Sequence, residues 1–128
     1  MSTVKESANL CARMIYQTAR QYFGGIAHII MGGFDKYGFH VYDLYPDGSI
    51  NEIKEYISSG SGSIIVFGVL ESTYKDSITV KEAEDLALKC ISASMQRDAG
   101  SGNGVDVMTI TKDGIKKTVQ KKVSGILV

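Results

Sequence analysis

Gly60-Ser61-Gly62-Ser63 and, further on, Asp98-Ala99-Gly100-Ser101-Gly102-Asn103-Gly104 are two glycine- and serine-rich loops, and between them lies one long amphipathic helix. Thr79-Val80-Lys81-Glu82 opens that helix as a capping box. The threonine hydroxyl can accept the backbone N–H three residues on, while the glutamate reaches back to the cap. Val80, Ala83, Ala87, Cys90, Ile91 and Ser94 then recur at steps of three and four, predicting one inward side and a helix that runs to about residue 97. Residues 63–70 are ambiguous from local pattern. Ile64-Ile65-Val66-Phe67 has strand propensity, but its place after a glycine-rich loop suits the start of a helix.

Upstream, Thr3 and Glu6 form a second capping box. It precedes a helix over residues 4–23 whose one face carries Val4, Ala8, Cys11, Ala12, Ile15, Ala19 and Tyr22, and Gly24-Gly25 stops it. A β-branched run over residues 26–31, followed by Gly32-Gly33, predicts a first strand. A second, over residues 38–45, alternates His40, Tyr42 and Leu44 against Val41, Asp43 and Tyr45. Pro46-Asp47-Gly48-Ser49 is a reverse turn, with proline presetting φ and glycine accepting φ above zero. A third strand is expected over residues 50–57. Downstream of the second glycine-rich loop, residues 104–111 alternate as a strand, Lys112-Asp113-Gly114 signals a hairpin, and residues 115–123 form a lysine-rich return strand. Strands in runs joined by short turns predict largely antiparallel sheets with helices on their outer faces, an α+β class. Thr-Val-Lys-Glu occurs at both 3 and 79, and the rule for helix starts accounts for this repeat without an internal duplication.

The chain has 128 residues, 44% of them hydrophobic, and a single proline, which fits one globular unit able to bury a core. Lys plus Arg equal Asp plus Glu at 14 each, so no net field recruits nucleic acid or an anionic membrane. The polar start, Met1-Ser2-Thr3-Val4-Lys5-Glu6-Ser7, does not read as a signal peptide, and the apolar run over residues 26–34 is too short to span a bilayer. A soluble, cytoplasmic chain is expected. Cys11 and Cys90 sit among apolar neighbours without CxxC or Cys-His spacing, so they read as reduced, buried thiols, with no metal and no cofactor expected.

As phosphate cradles, the glycine loops would make the chain a nucleotide or small-molecule binding module. Ile65, however, stands where a dinucleotide loop needs its third glycine or alanine, and no Gly-Lys-Ser/Thr occurs anywhere. His28 and His40 fall in strand-like runs with no matching Asp, Cys or Ser at ligand or triad spacing. Lys112, Lys116, Lys117, Lys121 and Lys122 read as a guarded, solvated edge rather than a polyanion site. Ser2, a conceivable terminal nucleophile, is needed with Thr3 where the helix begins.

In order along the chain, several blocks are similar to the pattern of archaeal-type proteasome β subunits, which are N-terminal-nucleophile hydrolases. They are Ile29-Ile30-Met31-Gly32-Gly33-Phe34-Asp35 with Gly38-Phe39-His40-Val41-Tyr42, Leu44-Tyr45-Pro46-Asp47-Gly48, Gly60-Ser61-Gly62-Ser63, Gly68-Val69-Leu70-Glu71-Ser72-Thr73-Tyr74, and the run from Met95 to Asp106. The resemblance covers nearly the whole chain. It implies a partial αββα four-layer fold, with residues 1–128 a β-type domain lacking its N-terminal segment, and it implies a helix at residues 63–70. In that family an N-terminal threonine hydroxyl attacks and its own α-amine, titrating near about 7.7–8.0, acts as base. By motif match Ser61, Asp98 and Ser101 are the residues that support the amine. The threonine, its Asp and its Lys have no counterpart in these 128 residues. The implied partners are other proteasome-type subunits in a ring and, for a complete particle, unfolded polypeptide. Two readings follow: a scaffold subunit without a nucleophile, or a piece of an active threonine endopeptidase completed by another polypeptide. Loss of strands from both sheets would leave apolar faces and open edges, so a free monomer is expected to be sticky or poorly folded.

Overall fold

A computed structural model describes the backbone of residues 2–21, 28–102 and 104–122, with the side chains of all but 19–21 and 119–122. The Gly24-Gly25 stop, Tyr22, Asn103, Val123 and the side chains of Ala19, Lys121 and Lys122 lie outside what is described. The chain divides into two units, residues 1–57 and 58–128.

In the first unit, helix α1 (Val4–Gln21) packs on an antiparallel sheet of β1 (Ile29–Asp35), β2 (Gly38–Leu44) and β3 (Ile50–Ile53), in the order β1-β2-β3. The capping box forms as expected: Glu6 N–H donates to Thr3 Oγ1 at 3.1 Å, and Thr3 N–H to Glu6 Oε2 at 3.4 Å. Val4, Ala8, Ala12 and Ile15 meet Tyr42 and Leu44, with Cys11, Ile29, Met31 and Ile50 closing the cluster. The hydroxyl of Tyr42, buried there, has its pKa raised by desolvation.

Two expectations for this sheet need correction. The first strand does not end before Gly32-Gly33 but runs through both to Asp35. The reason is close approach rather than a break, since a Cβ on Gly33 would lie 2.8 Å from Val4 Cγ2. The third strand stops at Ile53, where its pairing with Val41 ends, instead of continuing to residue 57. The turn between β2 and β3 is as expected, with Gly48 N–H donating to Tyr45 O at 3.0 Å and Gly48 at φ +86°.

The second unit contains α2 (Ser63–Thr73), α3 (Val80–Arg97), a single 3₁₀ turn (Ala99–Ser101) and a hairpin of β4 (Gly104–Thr111) and β5 (Gly114–Lys122). The ambiguous segment is helical, as the family pattern implied. Thr79 caps α3, its hydroxyl oxygen accepting Glu82 N–H at 3.1 Å. The buried stripe of α3 is Leu86, Cys90 and Ser94, whereas Val80, Ala83, Ala87 and Ile91 are exposed. The inward face is therefore rotated from the one read off the apolar spacing, because Leu86 rather than Ala87 fills the space against the neighbouring elements. Val66 and Leu70 of α2 and Val105 and Val107 of β4 are the other buried apolar side chains among the described residues of this unit. A bulge in β5 leaves Thr118 opposite no partner, and its hydroxyl donates instead to Val107 O at 3.2 Å. Both sheets are antiparallel, so the α+β class stands.

Candidate functional site

The first glycine-rich loop becomes a tight turn because Gly60 adopts φ +103° and its carbonyl accepts Ser63 N–H at 3.1 Å. This places Ser61 at the tip and Gly62 at the start of α2. Thirty-seven residues on, Asp98 ends α3, its backbone N–H donating to Ser94 O at 2.8 Å. The 3₁₀ turn then brings Ser101 back, its N–H donating to Asp98 O at 3.1 Å. The two loops meet. Ser61 Oγ donates to Asp98 Oδ2 at 2.6 Å, and Ser101 Oγ donates to the same oxygen at 2.7 Å.

All three residues singled out by motif are thus in one hydrogen-bonded cluster. Beside them opens a cavity of about 260 Å³, lined by serine, glycine, valine and isoleucine, with no cationic side chain among the described lining residues. The glycines have a steric purpose. A Cβ on Gly100 would lie 2.6 Å from Ser61 Oγ, and one on Gly62 would run into Ser94 Oγ and lie 2.6 Å from Ser101 Oγ. They let two hydroxyls converge on one carboxylate, with a third, that of Ser94, against Ser101.

The electrostatics favour a cation. Hydrogen bonds from Ser61 and then Ser101 hold the Asp98 carboxyl below the usual aspartate range, although it sits at a helix C-terminus whose partial negative charge opposes ionisation. The carboxylate and the hydroxyl lone pairs suit an ammonium or amine, while the negative end of α3 is met by the positive end of α2, which begins at Gly62 in the same cluster.

One member of the cluster escapes a functional reading of the sequence. The helical spacing places Ser94 on the inward side of α3, as found, but its Oγ also lies 2.5 Å from Ser101 Oγ. Its spacing of four from Asp98, one helical turn, is the signal that could have found it.

The histidines also have partners that spacing did not show. His28 Nε2 hydrogen bonds to Oδ1 of the buried Asp43, and its ring stacks on Tyr45 at 5.0 Å. Asp43 in turn raises the Tyr45 pKa by hydrogen bonding. His40 lies 3.6 Å from Asp35 and 3.5 Å from Glu52. The thiols are free: Cys90 is buried and burial pushes its pKa up, while Cys11 is half-buried. Among the described residues no group of His, Cys, Asp and Glu is arranged to hold a metal ion, and no helix is long and apolar enough to cross a membrane.

Residues 1–110 match the proteasome subunit family. The chain is 41% identical to the proteasome subunit beta of Nanoarchaeum equitans over 114 residues, which are 89% of this chain and 58% of that protein. It is 43% identical to proteasome subunit beta 2 of Thermofilum pendens, covering 87% of this chain and 53% of the relative. With the proteasome subunit beta of Ferroglobus placidus it shares 35% identity over 98% of this chain and 59% of the relative. The chain belongs to the proteasome subunit family, in its archaeal β class. It spans little more than half the length of these relatives.

Proposed function

We propose that this chain contributes the amine-holding half of a threonine-type endopeptidase centre in a proteasome core. The attacking threonine would be carried by polypeptide beyond these 128 residues, and residues 1–128 would form the rear of one β-type domain. The observation that carries the reading is the shared oxygen of Asp98, which accepts hydroxyls from two separate loops at the edge of a cavity. Ser61, Asp98 and Ser101 then act as supports. The two N–H bonds of the neutral α-amine would be shared among Asp98 and the serine oxygens, leaving its lone pair aimed for proton abstraction from the threonine hydroxyl. None of the three attacks. The partners would be other proteasome-type subunits in a ring, the substrate unfolded polypeptide, and the compartment the cytoplasm, with neither nucleic acid nor membrane involved.

The test is turnover of a fluorogenic peptide by the purified material, with and without an inhibitor directed at an N-terminal threonine. Inhibitor-sensitive turnover that falls at least about tenfold in Asp98→Asn supports the reading. Turnover untouched by that substitution rejects it, and silence from a correctly assembled particle favours a scaffold role.

A further inference from the structure

Each hydroxyl in the cluster has one proton, and counting these protons assigns a direction that distances alone leave open. An ionised carboxylate only accepts, so the Ser61 and Ser101 protons are both committed to Asp98 Oδ2. Ser101 therefore has none left for its 2.5 Å contact with Ser94, and Ser94 must be the donor. The order is Ser94 to Ser101 to Asp98.

Serine inside a helix ordinarily returns its proton to the carbonyl four residues back, as Ser92 does to Leu88 O at 2.7 Å. Ser94 directs its proton instead to the 3₁₀ turn that follows α3. It is only 4% exposed, and the bare Cα of Gly62 packs against it, so its hydroxyl has little room to turn elsewhere. We propose that Ser94 is a positioning residue: by donating to Ser101 it orients that hydroxyl toward Asp98 and occupies one Ser101 lone pair from the buried side. The remaining lone pair is then the acceptor for a donor entering from the cavity. Donation into Ser101 also polarises its O–H, strengthening the bond to Asp98. The inference rests on the amine-holding role proposed above for Ser101 and Asp98, and deepens it.

The test uses the full chain, in the assembly it forms, labelled with ¹³C at the aspartate carboxyls, with the Asp98 signal assigned by its loss in Asp98→Asn. The described residues that line the cavity carry no titratable side chain, and Asp98, hydrogen-bonded to two of them, is the carboxylate the signal reports on. Ser94→Ala should keep α3 intact, since alanine is the best helix former, and circular dichroism checks this. The expected result is an upward shift of the Asp98 titration midpoint in Ser94→Ala, and no added shift when Ser94→Ala is combined with Ser101→Ala. Such non-additivity is the mark of one residue acting through another. An unmoved midpoint in helical Ser94→Ala overturns the proposal, as does an equal increment with and without Ser101. The readout needs no turnover, so failure of the endopeptidase reading and failure of this one are separately visible.

Discussion

Gly62 and Gly68 are both glycines of the second unit, and the structure gives them opposite roles. Gly62 has an unstrained backbone, φ −88°, so alanine there meets no conformational barrier but drives its methyl into Ser94 and Ser101. Ser94 is fixed on a helix and cannot withdraw. Gly62→Ala is expected to cost about 1–3 kcal/mol by overpacking and to separate the two loops. Gly68 lies exposed inside α2, and a methyl group added there would meet no atom within 4 Å. Gly68→Ala should stabilise by about 0.5–1 kcal/mol, because alanine loses less backbone freedom on entering a helix. Denaturant titration of the two variants checks the opposite signs.

Elements were legible in the sequence where a local rule applies. Thr79 and Glu82 predicted the start of α3, and Thr79 Oγ1 does accept Glu82 N–H. Thr79→Ala should therefore cost about 1 kcal/mol while Thr79→Ser costs only a fraction of that, measurable by thermal unfolding. The Pro46 turn, the Lys112-Asp113 hairpin and the apolar face of α1 were legible for the same reason, each being set within a few residues. What could not be read locally depends on what packs nearby. Gly32-Gly33 looks like a break until Val4 is seen against Gly33, and the face of α3 is rotated from the one expected because Leu86 is buried while Ala83 and Ala87 stay exposed. Local pattern did not settle α2, because Ile64-Ile65-Val66-Phe67 is apolar without a period; the family resemblance did. The cluster itself joins Ser61 to a carboxylate 37 residues away, a separation only the family pattern could bridge.

Among the described residues, several apolar side chains lie exposed. In the first unit, Ile30, Phe34 and Phe39 share the sheet face opposite α1, and Phe34 and Phe39 are 43% and 59% exposed. In the second, Ile64 is 85% exposed, and the β4–β5 hairpin has no further strand beside it among the described residues. A two-stranded ribbon is marginal alone, and open edges recruit other chains. Native mass measurement should therefore return a species well above one chain, or one chain bound to a companion. A sharp, reversible thermal transition from a dilute monomer would contradict this.

Asp35 sits at the end of β1, and its carboxylate accepts Val4 N–H through Oδ2 and Tyr37 N–H through Oδ1, both at 2.8 Å. It is a clasp between the first turn of a helix and the tip of a hairpin. The Val4 bond, ahead of the others, lowers the Asp35 pKa, so its stabilisation is complete above the ordinary aspartate value and fades as pH falls through the lowered one. Two amides far apart in sequence, those of Val4 and Tyr37, should consequently lose their protection from deuterium exchange in step on acidification. In Asp35→Asn that pairing would vanish, and each would exchange on its own schedule.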